Sequence, residues 1–177
     1  DRAVDETAPA GSGFLPSICT QWEAAATPAV EAGISVAFLR TGIVLSTEGG
    51  ALATQLPAFK LGLGGRAGSG RQYQSWITID DEVAAILALL DDPSIDGPVN
   101  LTAPNPATNA EFAKALGRAL HRPTTVIPMF GPRLLFGREL ADTLLLESQR
   151  VVPAKLLAAG FDFRFPELDG ALAHLLA

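Results

Sequence analysis

One run of residues limits the possible folds of this chain more than any other feature. Residues 34–45 are apolar at nearly every position and rich in β-branched side chains. A run of this kind is typical of a strand that is covered on both faces, as strands of parallel sheets are. We therefore expect a parallel-type strand at this point of the chain.

Helix and strand patterns alternate around that run. Apolar residues at a spacing of three and four predict a helix from Phe14 to Val30 that ends at Gly33, and Pro28 marks a kink or a fresh helical turn in it. Further along, the patterns predict a helix at 51–59, a period-two strand at 73–79, a helix beginning at 80–82 with the apolar face Val83, Ile86, Leu87 and Leu90, and a short buried strand at 99–102. This alternation indicates an α/β fold.

The last third of the chain is predicted to be mostly helical. Thr108 and Glu111 form a capping box at the start of a helix, and a short strand follows at 124–127. After it, the patterns predict helices at 133–136, from 139 to about 148, at 153–159 with Gly160 as its C-terminal cap, and at 166–176. We therefore divide the chain into a first domain, residues 1–127, and a helical C-terminal domain, residues 128–177.

Composition argues against several classes of function. The 177 residues include 13 Lys or Arg and 19 Asp or Glu, for a net charge of −6, which argues against nucleic-acid or anionic-membrane partners. No apolar run is long enough for a membrane span, so we expect a cytoplasmic protein. The single cysteine, Cys19, cannot form an intrachain disulfide and is expected to be buried on the apolar face of its helix. Two histidines leave little for a metal centre, and no metal site is predicted.

The start of the chain is unusual for an α/β protein. Residues 1–13 have no initiator methionine and no periodic apolar pattern. An open nucleotide-binding sheet begins with a strand, a glycine-rich turn and a helix, whereas this chain begins with a helix. We therefore expect the chain to be a portion of a longer protein.

A glycine-dense stretch lies between the second predicted helix and the period-two strand. Residues 62–67, Gly-Leu-Gly-Gly-Arg-Ala, literally match a dinucleotide-binding fingerprint. That fingerprint needs a strand before it and a helix after it, so that the phosphates meet the helix N-terminus. Here the order is reversed, and we interpret the stretch as a flexible ligand-facing loop or as a simple turn.

Two groups of side chains are candidates for ligand binding. Guanidinium groups, amides and an indole suit a phosphorylated or sugar-like ligand, and they occur together at Arg66, Arg71, Gln72, Gln74 and Trp76. The alternative for this group is a solvated loop with one partly buried tryptophan. The second group is Arg40-Thr41-Gly42, at the carboxyl end of the predicted parallel strand, where ligands of open α/β sheets bind.

The charged residues near these groups allow more than one interpretation. Arg40 either anchors a ligand or pairs with Asp80 or Asp81 as part of the scaffold. The two aspartates are interpreted as caps of the following helix rather than as acid/base groups. His121 and His174 are expected to be structural, and no catalytic residue can be named.

Several separated motifs, in a fixed order, resemble those of one protein family. They include Ser-Trp-Ile-Thr-Ile-Asp-Asp at 75–81 and the segments 13–19, 22–25, 39–45, 68–72, 100–106, 144–153 and 159–166. Together they resemble the C-terminal portion of the atypical extended short-chain dehydrogenases/reductases, the nucleoside-diphosphate-sugar epimerases. The resemblance spans essentially the whole chain and includes the family's own C-terminal domain.

This resemblance implies a Rossmann-type fold that binds NAD or NADP. The glycine-rich βαβ half that holds the pyrophosphate would lie upstream and is absent from this chain, which would complete the sheet and supply the substrate lobe. By resemblance, Thr41, Gly42 and Ile43 contact the cofactor, while Arg71, Gln72, Gln74 and Trp76 face a nucleotide-sugar-like substrate. The implied activity is that of an epimerase or oxidoreductase.

One departure from the family's pattern leaves the activity open. The wider superfamily uses a tyrosine and, four residues later, a lysine for proton transfer, and these positions hold Leu15 and Cys19 here. The full-length protein is therefore either an NAD(P)-dependent enzyme or a non-catalytic NADP(H)-binding or regulatory protein. A sheet edge left open by the missing half would also favour self-association of the fragment.

Overall fold

The computed structural model describes residues 2–127, 137 and 148–177 of the chain. Seven helices lie in these ranges: α1 (Phe14–Ala25), α2 (Thr27–Glu31), α3 (Gly50–Lys60), α4 (Ile79–Asp91), α5 (Asn109–Ala119), α6 (Ala154–Ala158) and α7 (Leu168–Leu175). The strands in the same ranges are β1 (Ala3–Val4), β2 (Ala37–Thr41), β3 (Ile43–Leu45), β4 (Gly65–Ala67), β5 (Tyr73–Gln74), β6 (Trp76–Thr78), β7 (Gly97–Leu101), β8 (Ala107–Thr108), β9 (Thr125–Ile127) and β10 (Arg150–Val151). The predicted α/β fold is confirmed.

The long apolar run forms two parallel-paired strands that meet at Gly42. Strand β2 pairs in parallel with β7, and β3 pairs in parallel with β6. The change of partner occurs between two consecutive amides: the N–H of Gly42 donates to the carbonyl of Leu101, and the N–H of Ile43 donates to the carbonyl of Ser75. The parallel pairing is confirmed, and the break at Gly42 is a feature that the apolar pattern did not predict.

The apolar core is divided between the two faces of these strands. Consecutive residues of β6 illustrate the division, because Trp76 packs with Leu45, Phe59 and Leu116 while Ile77 packs with Val99 and Leu101. Successive side chains of a strand point to opposite faces, so one short strand supplies both clusters. The C-terminal segment contributes to both as well, through Leu172 in the first cluster and Leu156 and Phe163 in the second.

Helix α1 differs from the expectation of a buried apolar stripe. None of its residues is buried, and the side chains of Phe14 and Trp22 are each 77% exposed. Cys19 is also exposed, so the prediction that it is buried was wrong. The helix itself is present as predicted, but within the described chain its apolar stripe is covered only in part, with Ile18 half-buried.

Helix α4 begins where it was predicted to begin, but it buries only one edge of the predicted apolar face. Ile86 of that face is half-buried and packs against the second cluster, whereas Val83, Leu87 and Leu90 are exposed. The buried apolar residues of the helix are Ala85 and Leu89. Apolar residues occur on more than one side of α4, so a period of 3.6 could not select the side that meets the sheet.

Several local predictions are confirmed. The helix that was expected to kink at Pro28 is two helices, and this proline lies in the first turn of α2. The capping box is present, with Thr108 and Glu111 bonding each other's backbone amides. Gly160 follows α6 with φ of 74°, as a C-terminal cap glycine does.

The helices predicted at 133–136 and from 139 to about 148 lie almost wholly outside the described residues. Among the helices that are described, none has both the length and the apolar character to cross a bilayer. The cytoplasmic location stays a prediction.

Candidate functional site

The three predicted cofactor residues lie where the chain passes from β2 to β3 and the strand partner changes. Thr41 is exposed at the end of β2, Gly42 lies at the break, and Ile43 opens β3. The hydroxyl of Thr41 donates to Oε1 of Glu82 at 2.9 Å. The structure therefore groups Thr41, Gly42 and Ile43 with an acidic residue that was not predicted as part of the site.

Glu82 is a buried carboxyl group at the start of α4. The residue is 7% exposed, and burial raises its pKa above the ordinary value, an effect that the hydrogen bond from Thr41 partly opposes. Its second oxygen, Oε2, is buried without a hydrogen-bond partner in the described chain. An acidic residue in the first turn of a helix is common, so no sequence pattern indicated that this one faces inward.

Arg40 is held by a residue other than those considered from the sequence. Its Nε donates to Oε1 of Glu23 at 2.7 Å, and its Nη2 donates to Oε2 at 2.9 Å. The hydrogen bonds from this guanidinium lower the pKa of the Glu23 carboxyl, against the opposing effect of partial burial. Of the two alternatives for Arg40, the ion pair within the scaffold is the one observed, but its partner is Glu23, and the expected partners Asp80 and Asp81 were wrong.

The two aspartates connect α4 to the C-terminal segment. The helix is capped by Thr78, whose Oγ1 accepts from the N–H of Asp81 at 3.1 Å, so capping by the aspartates was wrong. The buried Asp81 carboxylate accepts from the backbone N–H groups of Arg164 and Phe165 at 2.9 and 3.0 Å. Asp80 lies 3.3 Å from Nε2 of His174. Both carboxylates therefore have structural partners.

The glycine-dense stretch connects α3 to β4, a helix to a strand. This order confirms that residues 62–67 are not a dinucleotide fingerprint. A Cβ on Gly64 would lie 2.3 Å from the Phe59 ring, and one on Gly65 would lie 1.9 Å from the carbonyl oxygen of Thr125. These two glycines are required for close packing between α3, β4 and β9.

The predicted substrate residues differ in what they still offer to a ligand. Gln72 is buried and donates Nε2 to the carbonyl of Ala67, and Trp76 is 0% exposed and donates Nε1 to the carbonyl of Asn105. Arg66 donates to the carbonyls of Gly68 and Ser69. Arg71 is exposed, and within the described ranges its guanidinium has no hydrogen bond or ion pair.

Gln74 borders a small cavity beside Ile43, the first residue of β3. The cavity has a volume of about 20 Å³ and is lined by Ile43, Ala51, Gln55, Gln74, Trp76 and Phe112. The Oε1 atom of Gln74 is buried and has no hydrogen-bond partner in the described chain. The cavity therefore joins a predicted cofactor residue, Ile43, to two predicted substrate residues, and it adds Gln55 and Phe112, which the sequence did not single out.

A wider depression lies elsewhere and shares no residue with this cavity. Its volume is about 500 Å³, at the end of α5, and its basic residues include Arg118 and Arg122. Arg118 is paired with Asp169, and Arg122 donates to the carbonyl of Lys60. Among the residues described, no three His, Cys, Asp or Glu side chains are grouped as metal ligands.

Comparison with known proteins identifies the relatives of this chain. A family model described as a domain of unknown function, DUF1731, matches residues 127–175. An epimerase family protein of Mycobacterium bovis is 49% identical over 175 residues, which cover 98% of this chain and 58% of that protein. The chain therefore matches this epimerase family protein over almost its whole length, and it spans 58% of that relative.

Solved structures of epimerase family proteins match the chain as well. The human epimerase family protein SDR39U1, solved with NADPH, matches with a TM-score of 0.89 and 38% identity over 99% of this chain and 59% of that one. A nucleoside-diphosphate sugar epimerase from Corynebacterium glutamicum matches with a TM-score of 0.77 and 37% identity, over 99% of this chain and 34% of that one. The fold is thus that of the extended short-chain dehydrogenases/reductases, and the chain spans less than two thirds of the relatives that it matches.

Proposed function

We propose that the full-length protein, meaning the complete gene product that contains this chain, is an NAD(P)-dependent epimerase or reductase acting on a nucleotide-sugar-like molecule. In this proposal the present chain completes the sheet and supplies the substrate lobe. The observation that carries it is the match to the human epimerase family protein solved with NADPH, which extends over 99% of this chain.

The residues at the strand end fit a nicotinamide group. Thr41 is exposed, Gly42 has no side chain, and Ile43 is apolar, so none of these three residues places a charge of its own against a nicotinamide ring. The unpartnered Oε2 of Glu82 lies on the carboxyl group that Thr41 contacts, and it is a further hydrogen-bonding atom at this edge. When bound, the cofactor would exchange a hydride with the substrate.

The substrate side of the proposal rests on Arg71 and Gln74. The exposed guanidinium of Arg71 suits a phosphate, since arginine binds phosphate through paired N–H groups. Gln74 presents an unpartnered amide oxygen, and Trp76 forms part of the wall behind it. Gln72 supports the loop through its bond to Ala67.

A second candidate function is binding of NADP(H) without chemistry. The observation that favours it is the pair of residues on α1 at the positions of the superfamily's tyrosine and lysine. Leu15 is 58% exposed and Cys19 is exposed, and a leucine cannot exchange the proton that a tyrosine would. The full-length protein would then respond to NADP(H) or dock a partner.

Incubation of the full-length protein with NADPH and a panel of sugar nucleotides tests the first proposal. If the protein is an enzyme, we expect turnover, measured by nicotinamide absorbance and by product analysis. Arg71→Ala should strongly reduce this turnover, and Arg164→Ala should leave it unchanged. Arg164 is the control because its side chain is exposed and distant in sequence from the proposed site. Tight NADPH binding by calorimetry with no turnover on any sugar nucleotide favours the second candidate instead.

Self-association of the 177-residue chain is a further part of the proposal. Within the described residues, β2 pairs with β7 alone, and its Leu39 is 45% exposed. An unpaired strand edge with apolar side chains nearby is a template for pairing with a second chain.

A further inference from the structure

The cavity beside Gln74 has walls without charge. Four of its six lining residues are apolar or aromatic, and the other two, Gln55 and Gln74, are neutral amides. Arg66, on β4, directs its guanidinium to the carbonyls of Gly68 and Ser69 instead. A phosphate group placed here would lose its hydration without meeting a cation, which is unfavourable in a buried site.

The two amides are the polar groups among the residues that line this cavity. The Oε1 atom of Gln74 is buried without a partner. The Nε2 of Gln55 donates one of its two N–H groups to the carbonyl of Ala51 in its own helix at 3.1 Å, and its oxygen stays available as an acceptor. A buried acceptor without a partner costs about 1–3 kcal/mol, so a group with an O–H or N–H at this position would gain that free energy.

The size of the cavity limits the group that it can hold. A volume of about 20 Å³ exceeds the ~10–15 Å³ that a single water molecule requires, and it is too small for a sugar ring. One hydroxyl or one N–H group, extending from a larger ligand, fits this space. Ile43 lines the same cavity, so such a ligand would also lie beside the passage from β2 to β3.

We infer that the Gln55–Gln74 cavity is a subsite for one neutral hydrogen-bond donor of the substrate, a sugar hydroxyl, and that it excludes the substrate's phosphates. This inference rests on the proposed function and assigns a role within it. In this subsite the sugar hydroxyl donates a hydrogen bond to Oε1 of Gln74, and Gln55 narrows the space from α3. The phosphates bind outside the cavity, where Arg71 is exposed.

The inference is tested with Gln74→Met and Gln74→Glu in the full-length protein, using UDP-glucose and UDP as probes in the presence of NADPH. Methionine has a similar length and no acceptor, whereas glutamate retains the acceptor. Calorimetry should show UDP-glucose binding about tenfold weaker to Gln74→Met, equivalent to one hydrogen bond, and much closer to wild type for Gln74→Glu. Binding of UDP and of NADPH should not change, and Gln149→Met, at an exposed glutamine outside the cavity, should match the wild type.

Thermal stability distinguishes this subsite from a buried water site. If Oε1 lacks a partner in the free protein, Gln74→Met leaves the melting temperature unchanged or raises it, because no hydrogen bond is lost. A clear fall in melting temperature would mean that a structural water fills the cavity, and it overturns the inference. The inference is also overturned if the wild type and Gln74→Met bind UDP-glucose equally well, or if neither protein binds it. Failure of the proposed function is separate, since it shows as absence of NADPH binding or of turnover.

Discussion

Arg40 and Glu23 face each other as a bidentate ion pair, with Nε to Oε1 at 2.7 Å and Nη2 to Oε2 at 2.9 Å. The pair joins α1 to β2, two elements that otherwise bury little apolar surface against each other, because α1 has no buried residue. It therefore fixes the helix that carries Leu15 and Cys19 relative to the strand that ends at Thr41.

We expect Arg40→Ala to lower the free energy of unfolding of the full-length protein by about 1 kcal/mol at pH 7, near the upper end for partly exposed pairs. The folded state lowers the pKa of Glu23 below its ordinary value of 4.5. The ion pair therefore makes its full contribution to the free energy of unfolding at pH values above 4.5. Its contribution is lost as the pH falls through the lowered pKa. Urea titrations from pH 7 down to pH 3 should show the difference from wild type shrinking only below about pH 4.5. Arg118→Ala, which removes a more exposed pair with Asp169, is the comparison and should have a smaller effect.

Glu82 should have the opposite pH dependence. Burial raises its pKa, so its contribution to stability is fully present below the ordinary value and is lost as the pH rises through the raised value. Glu82→Gln keeps an acceptor for Thr41 and removes the charge, and it should stabilise the protein by about 1 kcal/mol at pH 7 and hardly at all at pH 4. Thermal unfolding at the two pH values, with the exposed Glu31→Gln as control, measures this difference. A destabilised Glu82→Gln at pH 7 would contradict it.

Gly42 should not tolerate a side chain. A Cβ there would lie 2.6 Å from the carbonyl oxygen of Ser75 and 2.8 Å from Cγ2 of Thr102, so the strands around the break would have to separate. Gly42→Ala is expected to cost about 2–3 kcal/mol, the usual range for forced overpacking. Gly170→Ala is the matched control, because its Cβ meets nothing within 4 Å and it lies in α7. The free energy of unfolding of the control should rise by about 0.5–1 kcal/mol, because alanine has a higher helix propensity than glycine. Equal melting temperatures for the two variants would refute the packing argument.

Asp81 should matter for stability far more than its neighbour. Asp81→Ala leaves the amides of Arg164 and Phe165 without their acceptor and is expected to cost about 2–3 kcal/mol. Asp80→Ala removes one partly exposed contact to His174 and should cost less than about 0.5 kcal/mol. Hydrogen exchange at residues 164 and 165, which should accelerate in Asp81→Ala alone, locates the effect.

The sequence predicted the elements of this fold better than their contacts. The parallel strand was recognisable from its β-branched run, since burial on both faces leaves that pattern. The break at Gly42 was not, because it depends on which carbonyl lies beside each amide, Leu101 or Ser75, and both belong to distant segments. The same limit applies to the partner of Arg40. The sequence contains carboxylates at Glu23, Asp80 and Asp81, and the packing of the helices determines which of them reaches the guanidinium.

The candidate site was predicted only in part for a related reason. Gln74 was identifiable because it lies among other polar residues near the glycine-dense stretch. Gln55 and Glu82 lie in helices, where glutamine and glutamate are ordinary surface residues, and only the three-dimensional arrangement brings them to the strand end. Their roles follow from burial of single atoms, which no sequence pattern reports.

Self-association of the isolated 177-residue chain is expected to depend on the free edge of β2. Leu39 lies on that strand and is 45% exposed, and Trp22 of α1 adds an indole that is 77% exposed. Light scattering should therefore show dimers or larger species. Leu39→Lys places a charge on the edge strand, where it opposes pairing, and should shift the chain toward monomer. Leu157→Lys, at a leucine that is 49% exposed on α6, should leave the association unchanged. A monodisperse wild-type monomer, or an equal response to both substitutions, would show that the β2 edge is not the contact surface.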